Sequence, residues 1–352
     1  MIDKFTRRSL LKYSAFTFAG LATHGLWPGS ARIARAASEV VVTHFGGPYA
    51  ALDDIVAKPF EAAGHGSVRY EVDYPGLIMS KWKANPDDPP YDIGMLVRAV
   101  GLRADASGLV TRLTNSDIPA LKDVHPAAFP SSGHGVAMIV DSLDFMYDTT
   151  KVSAPLASWL DLWKPEFKDQ IVLPAMPAVG MVTLTLLSFA KALGGDERTV
   201  DDAFTKIKEL KNNVRTFVTD PNQATQLLER GDIVAAPQFS VRISQVLKRN
   251  DRIARAVPKE GVPAVPYDLC IAKGSKNQDL AKTYINFVLS ESVQHDLAAK
   301  LLATPVHKSV SVPEDMKRFV MSDFDKLFFL DYEYIASRQK EWTDRWVREI
   351  QS

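Results

Sequence analysis

The chain is expected to be an α/β protein of two lobes, each a parallel-rich sheet flanked by helices and joined by crossing strands. Three observations lead there. With 352 residues, 46% apolar and 24% charged, there is enough material for two ordinary cores. Short β-type apolar runs alternate with stretches of helical periodicity, the order that builds parallel sheets through right-handed crossovers. One extended stretch, residues 134–147 (HGVAMIVDSLDFMY), is long and reads as the first crossing between lobes.

The first 36 residues read as an export label. Thr6-Arg7-Arg8-Ser9-Leu10-Leu11-Lys12 sets paired arginines before a moderately apolar run, and Ala34-Arg35-Ala36 supplies small residues at a cut after Ala36 or Ala37. The pattern resembles a twin-arginine signal, with Arg7, Arg8, Ala34 and Ala36 as its marking residues and the twin-arginine export machinery as a partner. No apolar run approaches the ~20 residues a membrane span needs. No lipobox cysteine follows, so a free periplasmic protein with its signal cleaved is expected. Those 36 residues hold six of the 42 basic and one of the 42 acidic residues, which leaves the remainder five charges acidic. With no basic run, nucleic-acid binding is not expected. Cys270 is the one cysteine, so no internal disulfide can form, and it reads as a small buried hydrophobe.

Residues 39–44 (EVVVTH) read as a buried strand, 45–49 (FGGPY) as a turn, and 50–60 as a helix that Pro59 kinks or ends. Strands follow at 68–73 and 91–97, separated by a proline-rich loop at 85–90. Next come a strand at 171–173, an almost wholly apolar helix at 180–193 stopped by Gly194, and a helix capped by Thr199. Asp220-Pro221 opens a helix and Gly231 closes it. A strand at 233–236, a helix at 240–248 and a strand at 253–257 complete the second lobe. The segment 258–308 supplies a strand at 267–272 and two helices, with Asn277 and Ser290 in N-cap positions. Pro305 onward crosses back, and Ile335, Trp342 and Trp346 share a face of the last helix.

Two strings carry a family resemblance. One is the Pro258-Lys259-Glu260-Gly261 loop followed by Asp268, Lys273-Gly274-Ser275-Lys276-Asn277 and a helix ending INFVLS; the other is the SWxDLWxPxxK pattern of residues 158–168. Both resemble the extracellular solute-binding proteins of ABC importers, in the spermidine/putrescine-binding branch. The likeness covers about residues 40–350. It implies a type II-like periplasmic binding protein fold that closes like a flytrap about a hinge, capturing a small solute for a membrane permease and its ATPase subunits. It implies no reaction and no cofactor. The lobes would be 38–140 with 266–304, and 141–265 with 305–352.

In such a fold, ligands sit at strand ends and helix N-termini between the lobes. The expected contacts are Phe45, Gly46, Gly47 and Tyr49 after the first strand, and Arg98 after the third. Val179 and Gly180 open the apolar helix, Gln238, Phe239 and Arg242 follow the strand at 233–236, and Tyr267 and Asp268 come from the return segment. Asp268 matches the aspartate that faces the cleft in the resembled family. Other acidic and tryptophan positions of a polyamine site are not matched. Residues 175–180 read AMPAVG, Gln238 stands where a tryptophan is expected, and Pro266 replaces another. With two arginines in the set, a small zwitterion or anion stays open beside a polyamine. The histidines lack metal-ligand spacing, and Tyr332 and Tyr334 flanking Glu333 read as helix packing. The alternatives are an exported metal-dependent enzyme, a ferric-iron binder, or a sensor using the same fold.

Overall fold

In the computed structural model, which describes residues 39–321 and 326–352, twelve strands form one sheet. The first are β1 (Glu39–His44), β2 (Ser67–Val72), β3 (Ile93–Val97), β4 (Val110–Thr111), β5 (Val136–Asp148) and β6 (Ile171–Pro174). The rest are β7 (Val214–Val218), β8 (Ala235–Phe239), β9 (Ile253–Ala256), β10 (Val262–Ala272), β11 (Thr304–Pro305) and β12 (Leu327–Phe328). The order is β2-β1-β3-β10-β5-β8-β6-β7, with β4 and β12 added to β10 and with β9 and β11 added to β5. Both ends are parallel: β2-β1-β3 on one side and β7-β6-β8 on the other. The middle is antiparallel, because β5 and β10 run against each other and against their outer neighbours.

The two central strands explain how the halves are joined. All thirteen residues of β5 and all eleven of β10 are buried, the continuous apolar pattern of strands covered on both faces. The first part of β5 pairs with β10 at Val136 to Ser142, and its last part pairs with β8 and β9 at Leu143 to Asp148. One strand therefore leaves one half and enters the other without a break, and the described residues fall within one compact unit, Ala37–Ser352.

The helices that bear on function are α1 (Lys58–Ala62), α2 (Pro75–Ala84), α3 (Arg98–Ala106), α4 (Val179–Ala192), α5 (Asp201–Glu209) and α6 (Pro221–Arg230). After them come α7 (Ser240–Leu247), α8 (Gln278–Val288), α9 (Glu291–Asp296) and α10 (Tyr332–Arg345). Asp220 accepts from the Asn222 amide at 2.9 Å and Gly231 ends α6 in the left-handed region, as its flanking residues predict. Ile335, Trp342 and Trp346 are all buried on one face. The two resembled strings meet: Ser158 donates to Glu260 at 2.5 Å, the Lys259 amide to Ala157 at 2.8 Å, and the Trp159 indole to the Gly261 carbonyl at 3.2 Å.

Several sequence expectations shift. Pro59 does not end its helix. It sits in the first turn of α1, where a missing N–H is tolerated, after a wider turn over Asp53–Ala57. The strand expected at 233–236 is β8, two residues later, because the Val234 amide bonds Gln170 instead. Thr199 does not cap α5; its hydroxyl accepts from the Asp196 amide. Asn277 stands at the N-cap of α8 but spends its amide on Asp92, donating to both oxygens at 3.2 Å. Ser290 precedes α9 and donates backward to Phe287. The twin-arginine pattern lies outside the described residues.

Candidate functional site

The turn after β1 is built for close approach. Gly46 and Gly47 have φ of +68° and +57°, a conformation that side-chain-bearing residues rarely adopt. A Cβ on Gly46 would come within 3.2 Å of Val72, and one on Gly47 would lie 3.9 Å from Nη1 of Arg242. This turn thus reaches Arg242, in the first turn of α7, on the other side of the central strands.

Beneath the turn three aromatic rings lock edge to face. Phe45 lies 5.7 Å from Tyr49 and 5.1 Å from Tyr267, and the two tyrosine rings are 6.0 Å apart. Tyr267 donates its hydroxyl to Oδ2 of Asp141 at 3.0 Å and is hydrogen-bonded to the Tyr49 hydroxyl as well. Oδ1 of Asp141 accepts from the Ser142 amide at 2.9 Å and from the Val241 amide at 3.1 Å. Through that second bond a carboxylate on β5 holds the start of α7, the helix that carries Arg242. Burial pushes the Asp141 carboxyl up to about 6, against the opposing pull of those two amides and the phenol, while Asp144 adds to the rise. Burial, then the nearby Asp141, also raises the Tyr267 and Tyr49 hydroxyls well above their ordinary value.

Arg242 is half-buried and donates from Nη1 to the Asn222 side chain at 3.0 Å. Among the described residues it forms no ion pair with a carboxylate. Arg249, Arg252 and Arg255, which follow it in the chain, each lie against a carboxylate, and Arg242 does not.

Arg98 and Asp268 are brought together, but away from this group. Arg98 is not a loop residue; it opens α3 and turns inward. Its Nε and Nη2 hold the two Asp268 oxygens at 3.0 and 2.9 Å, and its remaining donors go to the Ala127 and Ala128 carbonyls. His134 places Nε2 2.9 Å from Oδ2 of Asp268 and Nδ1 2.7 Å from the Ser132 hydroxyl. Burial raises Asp268, yet Arg98 and His134 outweigh it and hold the carboxyl below its ordinary value. An ionised Asp268 only accepts, so the proton sits on Nε2 of His134. Asp268 is fully buried and both its oxygens are taken, which corrects the expectation that it faces a ligand. It neighbours Tyr267 on β10, and successive strand residues point to opposite faces.

Gln238 is corrected in the same way. It is buried, its amide donates to Pro221 and Thr225 at 2.8 and 3.0 Å, and its oxygen accepts from the Phe239 amide. Phe239 is half-buried at the end of β8. Val179 begins α4 and Gly180 follows, exposed. The C-terminal helical turns hold that approach: the Trp346 indole donates to Pro174 at 3.1 Å, and Gln351 accepts from the Met176 amide at 3.0 Å. Sequence reasoning missed Asp141 and Asn222. The available signal for Asp141 was a carboxylate embedded in the apolar run of β5. Among the described residues no group of three or more His, Cys, Asp or Glu could hold a metal ion, and no helix is long and apolar enough to cross a membrane.

A profile of the family described as bacterial extracellular solute-binding protein matches residues 56–320. The chain belongs to that family, whose members bind substrates for transport and are not enzymes. It is 29% identical over 309 residues to a gamma-aminobutyric acid-binding protein of Pseudomonas aeruginosa, covering 86% of each chain. It is 23% identical over 231 residues to spermidine/putrescine-binding periplasmic protein 1 of Haemophilus influenzae, covering 62% of each. The structure of an ABC transporter protein from Clostridium perfringens superposes with a TM-score of 0.76 at 26% identity, over 88% of this chain and 99% of that one. The α/β fold expected from the sequence is the fold of this class.

Proposed function

We propose that the protein captures a small solute carrying both an acid group and an amine, of the γ-aminobutyrate type, and hands it to the permease and ATPase subunits of an ABC importer. The observation that carries this reading is Arg242, a half-buried guanidinium without a carboxylate partner among the described residues, beside the two left-handed glycines. A carboxylate or phosphonate offers such a fork two acceptor oxygens. Spermidine and putrescine offer none, so of the two kinds of relative the amino-acid binder is the better guide. The amine is assigned to the half-buried Phe45, whose ring face attracts cations; Tyr49 and Tyr267, both buried, hold that ring edge to face. Phe239 and the backbone that opens α4 at Gly180 would close the opposite side.

The same reading divides the chain into lobes at 38–140 with 266–304 and 141–265 with 305–352, hinged where β5 and β10 cross. Opening about that hinge would draw the glycine turn away from Arg242 and admit the solute, and closure would restore their approach. It also has the protein exported by the twin-arginine route, trimmed near Ala36 and released into the periplasm. Calorimetric titration with γ-aminobutyrate, putrescine and spermidine tests the solute class. Arg242→Gln should weaken γ-aminobutyrate binding about 30-fold or more, since removing one partner of a desolvated charge pair costs about 2 kcal/mol or more. Tight binding of the polyamines alone, or an unaltered constant in the variant, would discard the assignment.

A further inference from the structure

The three most exposed large apolar side chains among the described residues follow one another beside the site. Val72 is 61% exposed, Tyr74 59% and Leu77 55%. Elsewhere such side chains reach at most 45%, at Val347. Apolar residues scattered singly on a surface need no account, but three within six positions form a patch, and patches of this kind mark contact sites.

Their exposure is imposed rather than incidental, because the residue between them is firmly anchored. Asp73 is buried; its amide donates to His44 at 3.1 Å, and its Oδ1 accepts from the Tyr74 amide at 2.8 Å. Its Oδ2 takes Lys81 at 2.8 Å and the Tyr91 hydroxyl at 3.0 Å. Pro75 then starts α2, which turns Ile78 and Trp82 into the core and leaves Leu77 outside. The anchor pins the end of β2 against the end of β1 and holds the outer residues in place.

Val72, the first of the three, meets the binding group. Val72 approaches Gly46 so closely that a Cβ there would sit 3.2 Å from its methyl, and Gly47, the next residue, approaches Arg242. The path from the Val72 methyl to the guanidinium is at most about 14 Å, the span of a small molecule.

We propose that Val72, Tyr74 and Leu77 are specificity-determining residues that form an apolar wall for the body of the solute. The solute is then an amino acid with its acid and amine well separated and with a branched or aryl flank between them. This rests on the reading of an acid-bearing solute at Arg242 and names its class more narrowly. A bare methylene chain covers little of three large side chains, whereas a phenyl or isobutyl group would remove much of that surface from water.

The test compares γ-aminobutyrate with its β-phenyl derivative, and putrescine with N-benzylputrescine, on the purified protein by calorimetry. The variants are Val72→Ser/Tyr74→Ser/Leu77→Ser and, as a milder change, Leu77→Ser alone. Expected is a preference of about tenfold or more for the phenyl derivative, about 1.4 kcal/mol. The triple variant loses that preference, Leu77→Ser loses part of it, and γ-aminobutyrate binding falls far less than that of the phenyl derivative in both. Equal affinity of the wild-type protein for both members of a pair overturns the proposal. So does an equal loss for both members in the variants. Unaltered binding with reduced uptake through the membrane subunits also overturns it and makes the patch a docking surface. If no acid-bearing compound binds but N-benzylputrescine outcompetes putrescine through the same wall, the wall stands and the Arg242 assignment falls.

Discussion

Asp141 makes the link between charge and stability measurable. In the folded protein its carboxyl is raised from 3.8 to about 6, chiefly by burial. That displacement corresponds to about 3 kcal/mol. The sign follows from proton linkage. A carboxyl that holds its proton more tightly when folded favours the folded state below the unfolded value, and this contribution is lost as pH rises through about 6. Near pH 7.5 the ionised group therefore works against folding. Asp141→Asn is the clean perturbation. Its oxygen keeps the Ser142 and Val241 amides, and its new amide can donate to the Tyr267 hydroxyl, which then accepts. The neighbouring Asp144, Arg255, Tyr49 and Arg242 stay in place. Urea unfolding should show the variant more stable than wild type by about 3 kcal/mol at pH 7.5, with the gap closing toward zero near pH 4. A gap that is the same at both pH values would refute the reasoning. A protein that retains such a carboxylate keeps it for what it positions, here the Tyr267 hydroxyl and the start of α7.

Two further outcomes test the packing around the site. Asp268→Asn leaves the Arg98 charge buried without its partner and should destabilise by about 3–5 kcal/mol, read by urea unfolding, while the folded fraction binds solute with unaltered affinity; a selective loss of affinity would return Asp268 to the site. Gly274→Ala drives a Cβ into the Pro86 carbonyl oxygen. It should lower the unfolding midpoint by the equivalent of about 1–3 kcal/mol, and an unaltered midpoint would mean that the loop before β3 yields freely.

Much of the fold was legible because it depends on local pattern. The apolar period of 2 in strands and 3.6 in helices, Asp220-Pro221 with Gly231, and the face shared by Ile335, Trp342 and Trp346 are all signals within a few residues of chain. The glycine turn after β1 was legible for the same reason, since two adjacent glycines announce a backbone that side chains would forbid. Family likeness then supplied the class of protein. Arg98 shows where local pattern stops. A polar residue at a strand end reads as a cleft residue, but α3 begins there and turns it onto Asp268.

By itself, then, the sequence determined the alternation of elements, the class of fold and the loops from which a site could be drawn, because those depend on neighbours along the chain. Only the tertiary structure decided which charges cancel and which remain. Arg98 meets Asp268 across 170 positions, Tyr267 meets Asp141 across 126, and Arg242 is left beside Gly47 without a carboxylate partner among the described residues. Whether a charged side chain serves a solute or the core depends on which partner reaches it first in space, and no spacing in the sequence records that distance.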